Sequence, residues 1–230
     1  MKTAATATIL AVTTAVASAF SAPTASPIIL PGEVDTTAAA FASSTFPISP
    51  PDLIQRAKQV LGPEIGIGTQ DSGACLSEDF EFVAAVVGPI GRDEYLDALG
   101  GFKLEESFDI EQNTFGFTVD PLQPNRVWWY GRQVSRQIAP FMGVEPGARE
   151  LTLPPQSFHM DFTEEGLVKE FGFYTVDRRQ GNTGGLGGAF GYFYGVGKPL
   201  PIRECQPYKP SLRFRLLGLI GSIGKKFSKK

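Results

Sequence analysis

Apolar and polar side chains alternate from Phe158 to Phe162. Phe158, Met160 and Phe162 fall on one face and His159 and Asp161 on the other, the period of a half-buried strand. A turn at Thr163-Glu164-Glu165-Gly166 leads into a second strand, Leu167 to Val176, so the pair reads as a hairpin. Upstream the period changes. Leu53, Ile54, Ala57, Val60 and Leu61 recur at helical spacing behind Asp52, a residue able to cap, and Gly62-Pro63 ends that helix. Residues 64–74 read as a glycine-rich loop and Asp79–Val87 as a strand, followed by a short helix, Arg92–Leu99, stopped by Gly100-Gly101. Strands are expected near Lys103–Ile110 and Thr114–Val119. Another is expected over Asn125–Val134, where Val127, Trp128, Trp129 and Tyr130 supply the β-branched and aromatic side chains that pleated surfaces favour.

Helices gathered at the start and strands in succession afterwards predict an α+β fold with an antiparallel sheet, not a doubly wound parallel one. Such a sheet, curled over the N-terminal helices, encloses a cone with an apolar interior.

Composition adds an address and an asymmetry. Thr3 to Ala17 is uncharged and ends in Ala17-Ser18-Ala19, a signal-peptide pattern too short to span a bilayer, so residues 1–19 are expected to be a leader. Phe20-Ser21-Ala22-Pro23 follows at once, and the junction resembles the bipartite plastid-targeting signature of diatoms and related algae. Residues 20–50 then read as a transit peptide, with the stroma or thylakoid surface as destination. Their lack of Lys and Arg keeps a secreted protein with a linker open as the alternative. The net charge of −3 divides unevenly: −1 over residues 1–50, −8 over 51–210 and +6 over 211–230. An acidic body argues against a nucleic-acid partner. Cys75 and Cys205 are compatible with one disulfide, but not with a metal-ligand spacing or a disulfide scaffold.

Leu76-Ser77-Glu78-Asp79-Phe80-Glu81-Phe82 and Val87-Gly88-Pro89-Ile90-Gly91-Arg92-Asp93-Glu94-Tyr95-Leu96 resemble the first strand and following helix of SnoaL-like proteins, in the nuclear-transport-factor-2-like superfamily. Asn125-Arg126-Val127-Trp128 and the run Asp177-Arg178 to Gly187 look like a plastid-associated algal branch of that group. The resemblance covers about residues 51–205, leaving 206–230 as a basic amphipathic tail. It implies an NTF2-like cone, a fold that hosts ketosteroid isomerases, polyketide cyclases, epoxide hydrolases and non-catalytic binding domains. The fold alone does not choose among them. Asp79 lies near an acidic position of several relatives, while Asp120 and Asp177 end strands; no mechanism transfers onto them.

Eight glycines fall within residues 181–197, among Phe190, Tyr192, Phe193 and Tyr194. A phosphate cradle is not expected, because Gly185-x-Gly187 continues to Phe190 and Gly197-Lys198 to Pro199, so no nucleotide cofactor is implied. The run reads as a tight loop packed against aromatics, or as a lid on the cone mouth. His159, the only histidine, and Asp161 face solvent or a partner if the apolar trio faces the core. If the sheet is inverted they become the candidate catalytic acid/base pair inside the cavity. Trp128, Tyr130 and Arg132 share a face suited to a conjugated or anionic ligand, and equally to an exposed sheet or homodimer surface. Together with Phe82 and Phe173 they are the candidate ligand-binding residues. No metal site is expected from one His and two separated Cys.

The tail, Ser211 to Lys230, is cationic and apolar, which suits an anionic membrane surface, although its glycines weaken a helix. The sequence therefore predicts a cone that binds a small apolar molecule (a lipid, pigment or isoprenoid-like compound). The alternatives are an isomerase, cyclase or hydrolase, and a structural dimeric subunit attached to the thylakoid.

Overall fold

The computed structural model describes residues 42–102, 104–207 and 209–227. The leader, residues 1–19, and residues 20–41 of the segment that follows it lie outside the described residues. The chain divides after Glu33, and everything below belongs to the unit Val34–Lys230.

Helix α1, Pro50–Leu61, starts two residues before the expected Asp52. The Ser49 hydroxyl accepts from the Asp52 amide, while Pro50 and Pro51 occupy first-turn positions where no N–H is required. Its apolar stripe, Leu53, Ala57 and Val60, is buried. A 3-10 turn, Gly66–Gly68, leads to β1 (Leu76–Ala84), β2 (Ile90–Gly91) and α2 (Arg92–Phe102). α2 runs through Gly100-Gly101 instead of stopping there. The strand expected from Lys103 is helical at first: α3, Leu104–Ser107, precedes β3, Phe108–Glu111. Leu104, Glu105 and Glu106 are good helix formers, and their propensity decides the local structure.

Beyond β4 (Phe115–Val119), the segment read as one strand is two. β5, Arg126–Gly131, stays in the large sheet, and β6, Val134–Gln137, joins β3 and β7 (Glu150–Thr152) in a second one. The hairpin is β8 (Gln156–Phe162) and β9 (Val168–Thr175). α4 (Gly188–Gly195), a 3-10 turn at Arg203–Cys205 and α5 (Leu212–Phe227) complete the described elements. The large sheet runs β2-β1-β9-β8-β5-β4, with every described pair antiparallel except β1 with β9.

The fold is thus α+β, with a curved, largely antiparallel sheet wrapped on helices as a cone. Two apolar clusters hold it. In the first, Leu53, Ala57 and Val60 meet Phe80, Tyr95, Val127, Trp129, Phe158, Met160 and Phe171. In the second, Phe108, Phe141, Leu151 and Leu153 pack on Tyr192 and Phe193 of α4. The glycine run is a loop that becomes this helix, against its poor helix propensity, because burial of its aromatic side chains outweighs propensity. At Gly195 a Cβ would come within 2.8 Å of the Leu151 side chain, so glycine sets how closely α4 approaches β7. Cys75 and Cys205 are buried and unpaired, and burial followed by the nearby Asp71 carboxylate pushes the Cys75 thiol up to about 12.

Candidate functional site

Alternation along β5, β8 and β9 sends two sets of side chains to opposite faces of the large sheet. Trp129, Phe158, Phe171 and Phe173 point inward with Phe82 of β1, and their rings form a continuous wall. Trp129 stacks on Phe158 at 5.5 Å, and Phe82 lies 5.8 Å from Phe171 and 5.9 Å from Phe173. Facing them, Ile67, Tyr95 and Leu99 come from the helical side, and Phe108, Phe190 and Tyr192 from the second cluster. Between these walls lies a cavity of about 1540 Å³, large enough for a drug-sized or somewhat larger ligand. The loop residues Gly185 to Phe190 form part of its lining.

Few polar groups enter the deep part. Tyr95 donates its hydroxyl to the Ile67 carbonyl at 3.3 Å, and burial raises its pKa well above the ordinary phenol value. Gln156 is buried, and its Oε1 has no partner among the described residues. The carboxylates on the lining, Glu94, Glu105, Asp109 and Glu204, are all exposed.

The outer face carries the polar set. Register places Arg126 beside Asp161 and Asp161 beside Glu170, with Trp128 beside His159 and His159 beside Gly172 in the next row. Arg126 donates through Nε and Nη2 to the two Asp161 oxygens, and Nη2 also reaches Glu170 Oε1 at 2.7 Å. Gln123 Nε2 donates to Asp161 at 2.7 Å, and Trp128 Nε1 donates to Asp120 at 2.8 Å. His159 is 0% exposed although it lies on the outer face. Trp128 covers it at 5.1 Å and Tyr174 stacks on it at 5.8 Å. The ring lies over Gly172, where any Cβ would collide with His159 and with the Val83 carbonyl.

His159 Nε2 lies 2.7 Å from Glu170 Oε1, and Nδ1 is buried without a partner among the described residues. A carboxylate only accepts, so the neutral ring places its proton on Nε2; a second proton on Nδ1 would be a buried donor with no acceptor. Burial, acting against the Glu170 hydrogen bond and helped by the Arg126 charge, lowers the His159 pKa. His159, Asp161 and Glu170 carry the donor types of a metal site, with one ligand atom of each within 4.8 Å of the others. The Arg126 guanidinium, bonded to both carboxylates, already supplies the positive charge there.

A group whose folded pKa lies below its unfolded value binds fewer protons folded than unfolded. The stability it contributes is therefore present above the unfolded pKa and is lost as pH falls from there through the folded pKa. The melting temperature should drop as pH falls below about 6.5, the ordinary histidine value, toward the lower folded one. His159→Asn should flatten that drop, and an equally steep profile in the variant would reject the assignment.

The apolar trio faces the core, so the inverted arrangement with His159 and Asp161 inside the cone is overturned. Phe158, Met160 and Phe162 could not leave the core without exposing all three. Of the candidate ligand-binding residues, Phe82 and Phe173 line the cavity, alongside Trp129, Phe158 and Phe171. Trp128, Tyr130 and Arg132 do not: the first two lie on the outer face, and Arg132 is exposed beyond the end of β5. Glu170, which completes the histidine's surroundings, was missed. Counting back across the turn 163–166 sets it opposite His159; a register shift between Asp161 and Phe162 moves it opposite Asp161 instead.

No protein-family model matches the sequence, and a search of curated proteins finds no relative. Among solved structures, AclR of Streptomyces galilaeus, assigned as a hydroxylase, is similar at 13% identity and a TM-score of 0.42, over 77% of this chain and 95% of its own. A Jannaschia sp. CCS1 protein assigned as a SnoaL-like polyketide cyclase matches at 18% identity and 0.41, over 58% and 89%. An LEH-like epoxide hydrolase of M. tuberculosis matches at 12% and 0.39, over 55% and 79%. At these scores the likenesses decide nothing about the chemistry of this chain.

Proposed function

We propose that this protein is a SnoaL-like cone that binds a small, largely apolar molecule, of lipid, pigment or isoprenoid-like character, between its two clusters. The observation carrying this reading is the cavity of about 1540 Å³, walled by aromatic side chains. No carboxylate or histidine among its described lining residues is buried. A buried carboxylate or histidine is the group whose pKa burial would tune for general acid–base catalysis; the four carboxylates on the lining are exposed. The pair that the sequence offered for it, His159 and Asp161, sits on the other side of the sheet, which favours a binder over an isomerase, cyclase or hydrolase.

Trp129 on the wall makes its own fluorescence the reporter. A hydrophobic probe such as 1-anilinonaphthalene-8-sulfonate should quench it on binding, and mass spectrometry of extracts from native protein should identify a copurified ligand. Phe173→Ser should weaken probe binding roughly 10- to 100-fold, the worth of one buried aromatic contact. Tyr130→Ser, on the outer face, should leave it unchanged. Equal affinity in the wild type and Phe173→Ser would reject the cavity as the binding site.

A further inference from the structure

We propose that α5 is an amphipathic anchor that lies on an anionic lipid surface and holds the mouth of the cavity against it. Its described apolar side chains are largely exposed: Leu212 is 80% exposed and Ile220 58%, and Phe214, Leu216 and Leu217 fall between these values or close to the lower one. So much exposed apolar surface on one short helix marks an interaction site. At 100° per residue, Leu212, Leu216, Leu219 and Ile220 form one stripe, with Arg213 and Arg215 on its two flanks. Long cationic side chains in that position lie along apolar surface and carry their charge outward to headgroups.

The charge selects the occupant. Residues 211–230 hold six basic residues and no acidic one. A second copy of the helix would bring two such clusters together. The acidic body could attract the charges, yet the apolar stripe remains exposed, so the body does not cover it. An anionic bilayer satisfies both features at once, hydrocarbon for the leucines and phosphate for the arginines and lysines. The helix lies on the bilayer and does not cross it: 16 residues reach roughly 24 Å, short of a hydrocarbon core of about 30 Å. Among the described residues, no helix is long and apolar enough to span.

The anchor leaves the body at the cavity. Gln206, Pro207 and Lys209 line the cavity immediately before the helix begins at Leu212. Seating α5 on lipid therefore brings this rim to the source of an apolar ligand. The lipid contact does not depend on the cavity reading, whereas the delivery role rests on it.

The full chain is sedimented with vesicles of phosphatidylcholine alone and of equal parts phosphatidylcholine and phosphatidylglycerol, at low and high sodium chloride. Binding should require phosphatidylglycerol and weaken with salt. Arg213→Gln with Arg215→Gln should lower partitioning roughly 30-fold. Deleting 211–230 should abolish the phosphatidylglycerol-dependent part and remove the helical signal of α5 while leaving the melting temperature of the body unchanged. Equal binding to both vesicles, equal binding by the truncated chain, or loss of fold on truncation would each overturn the anchor. A chain that ignores vesicles but changes from dimer to monomer on truncation would show instead that the helix pairs copies. Phe173→Ser should sediment like the wild type; if it loses probe binding but not vesicle binding, the two readings stand apart.

Discussion

Replacing Trp129 by alanine is expected to destabilise the protein by about 3–5 kcal/mol, the range for removing a buried aromatic side chain. Trp129 is 1% exposed and sits at the centre of the inner wall. It stacks on Phe117 at 5.6 Å, on Phe158 at 5.5 Å and on Phe171 at 6.3 Å, with interplanar angles of 10° or less. Removing the indole takes the shared partner from three rings at once. One side already borders the cavity, so part of the void merges with existing space and the lower end of the range is expected. Its sequence neighbour is the control. Trp128 packs on the outer face over His159 and Arg126, and its loss removes one hydrogen bond to Asp120 and a partial cover. Trp128→Ala should cost about 1–2 kcal/mol. Melting temperatures of the two variants, measured side by side, test the assignment of faces. A larger loss from Trp128→Ala would mean that β5 is turned over.

That assignment was half legible in the sequence. Period-2 alternation along Phe158–Phe162 divides the strand into two faces, and five residues suffice for that because every side chain reverses with a one-residue slip. Which face turns inward is a tertiary matter, settled by the stripe Leu53, Ala57 and Val60 that covers one of them. The extent of β5 could not be read, because Gly131-Arg132-Gln133 continues the strand-like pattern while the chain passes to another sheet. The helix Gly188–Gly195 was hidden for the opposite reason: local propensity argues against it, and only packing on β7 forms it. The polar cluster needed cross-strand register as well as periodicity. His159 and Asp161 stand out in sequence, but the groups that decide their chemistry, Arg126 and Glu170, come from the strands on either side.

Arg126→Met is expected to cost about 3 kcal/mol at neutral pH, the low end for breaking a buried ion pair. The methionine keeps most of the stem and removes the guanidinium that bridges Asp161 and Glu170. The two carboxylates, with side chains 9% and 28% exposed, would then face each other without a cation. Water reaching Glu170 keeps the loss from the upper end of the range. His159 responds to the loss. The Arg126 charge contributes to lowering its pKa, and the Glu170 hydrogen bond to raising it. Without Arg126 the balance moves upward, toward the unfolded value, although burial still opposes the imidazolium. The stability lost as pH falls from the unfolded to the folded pKa shrinks with the gap between them. The variant should therefore lose less stability than the parent as pH falls below about 6.5. His159 is the only histidine, so a proton NMR titration follows it without assignment. Adding Asp161→Asn and Glu170→Gln to Arg126→Met should restore part of the stability at neutral pH, since neutral amides no longer repel. An Arg126→Met protein with an unchanged melting temperature and an unshifted histidine would show that the guanidinium does not hold this face of the sheet.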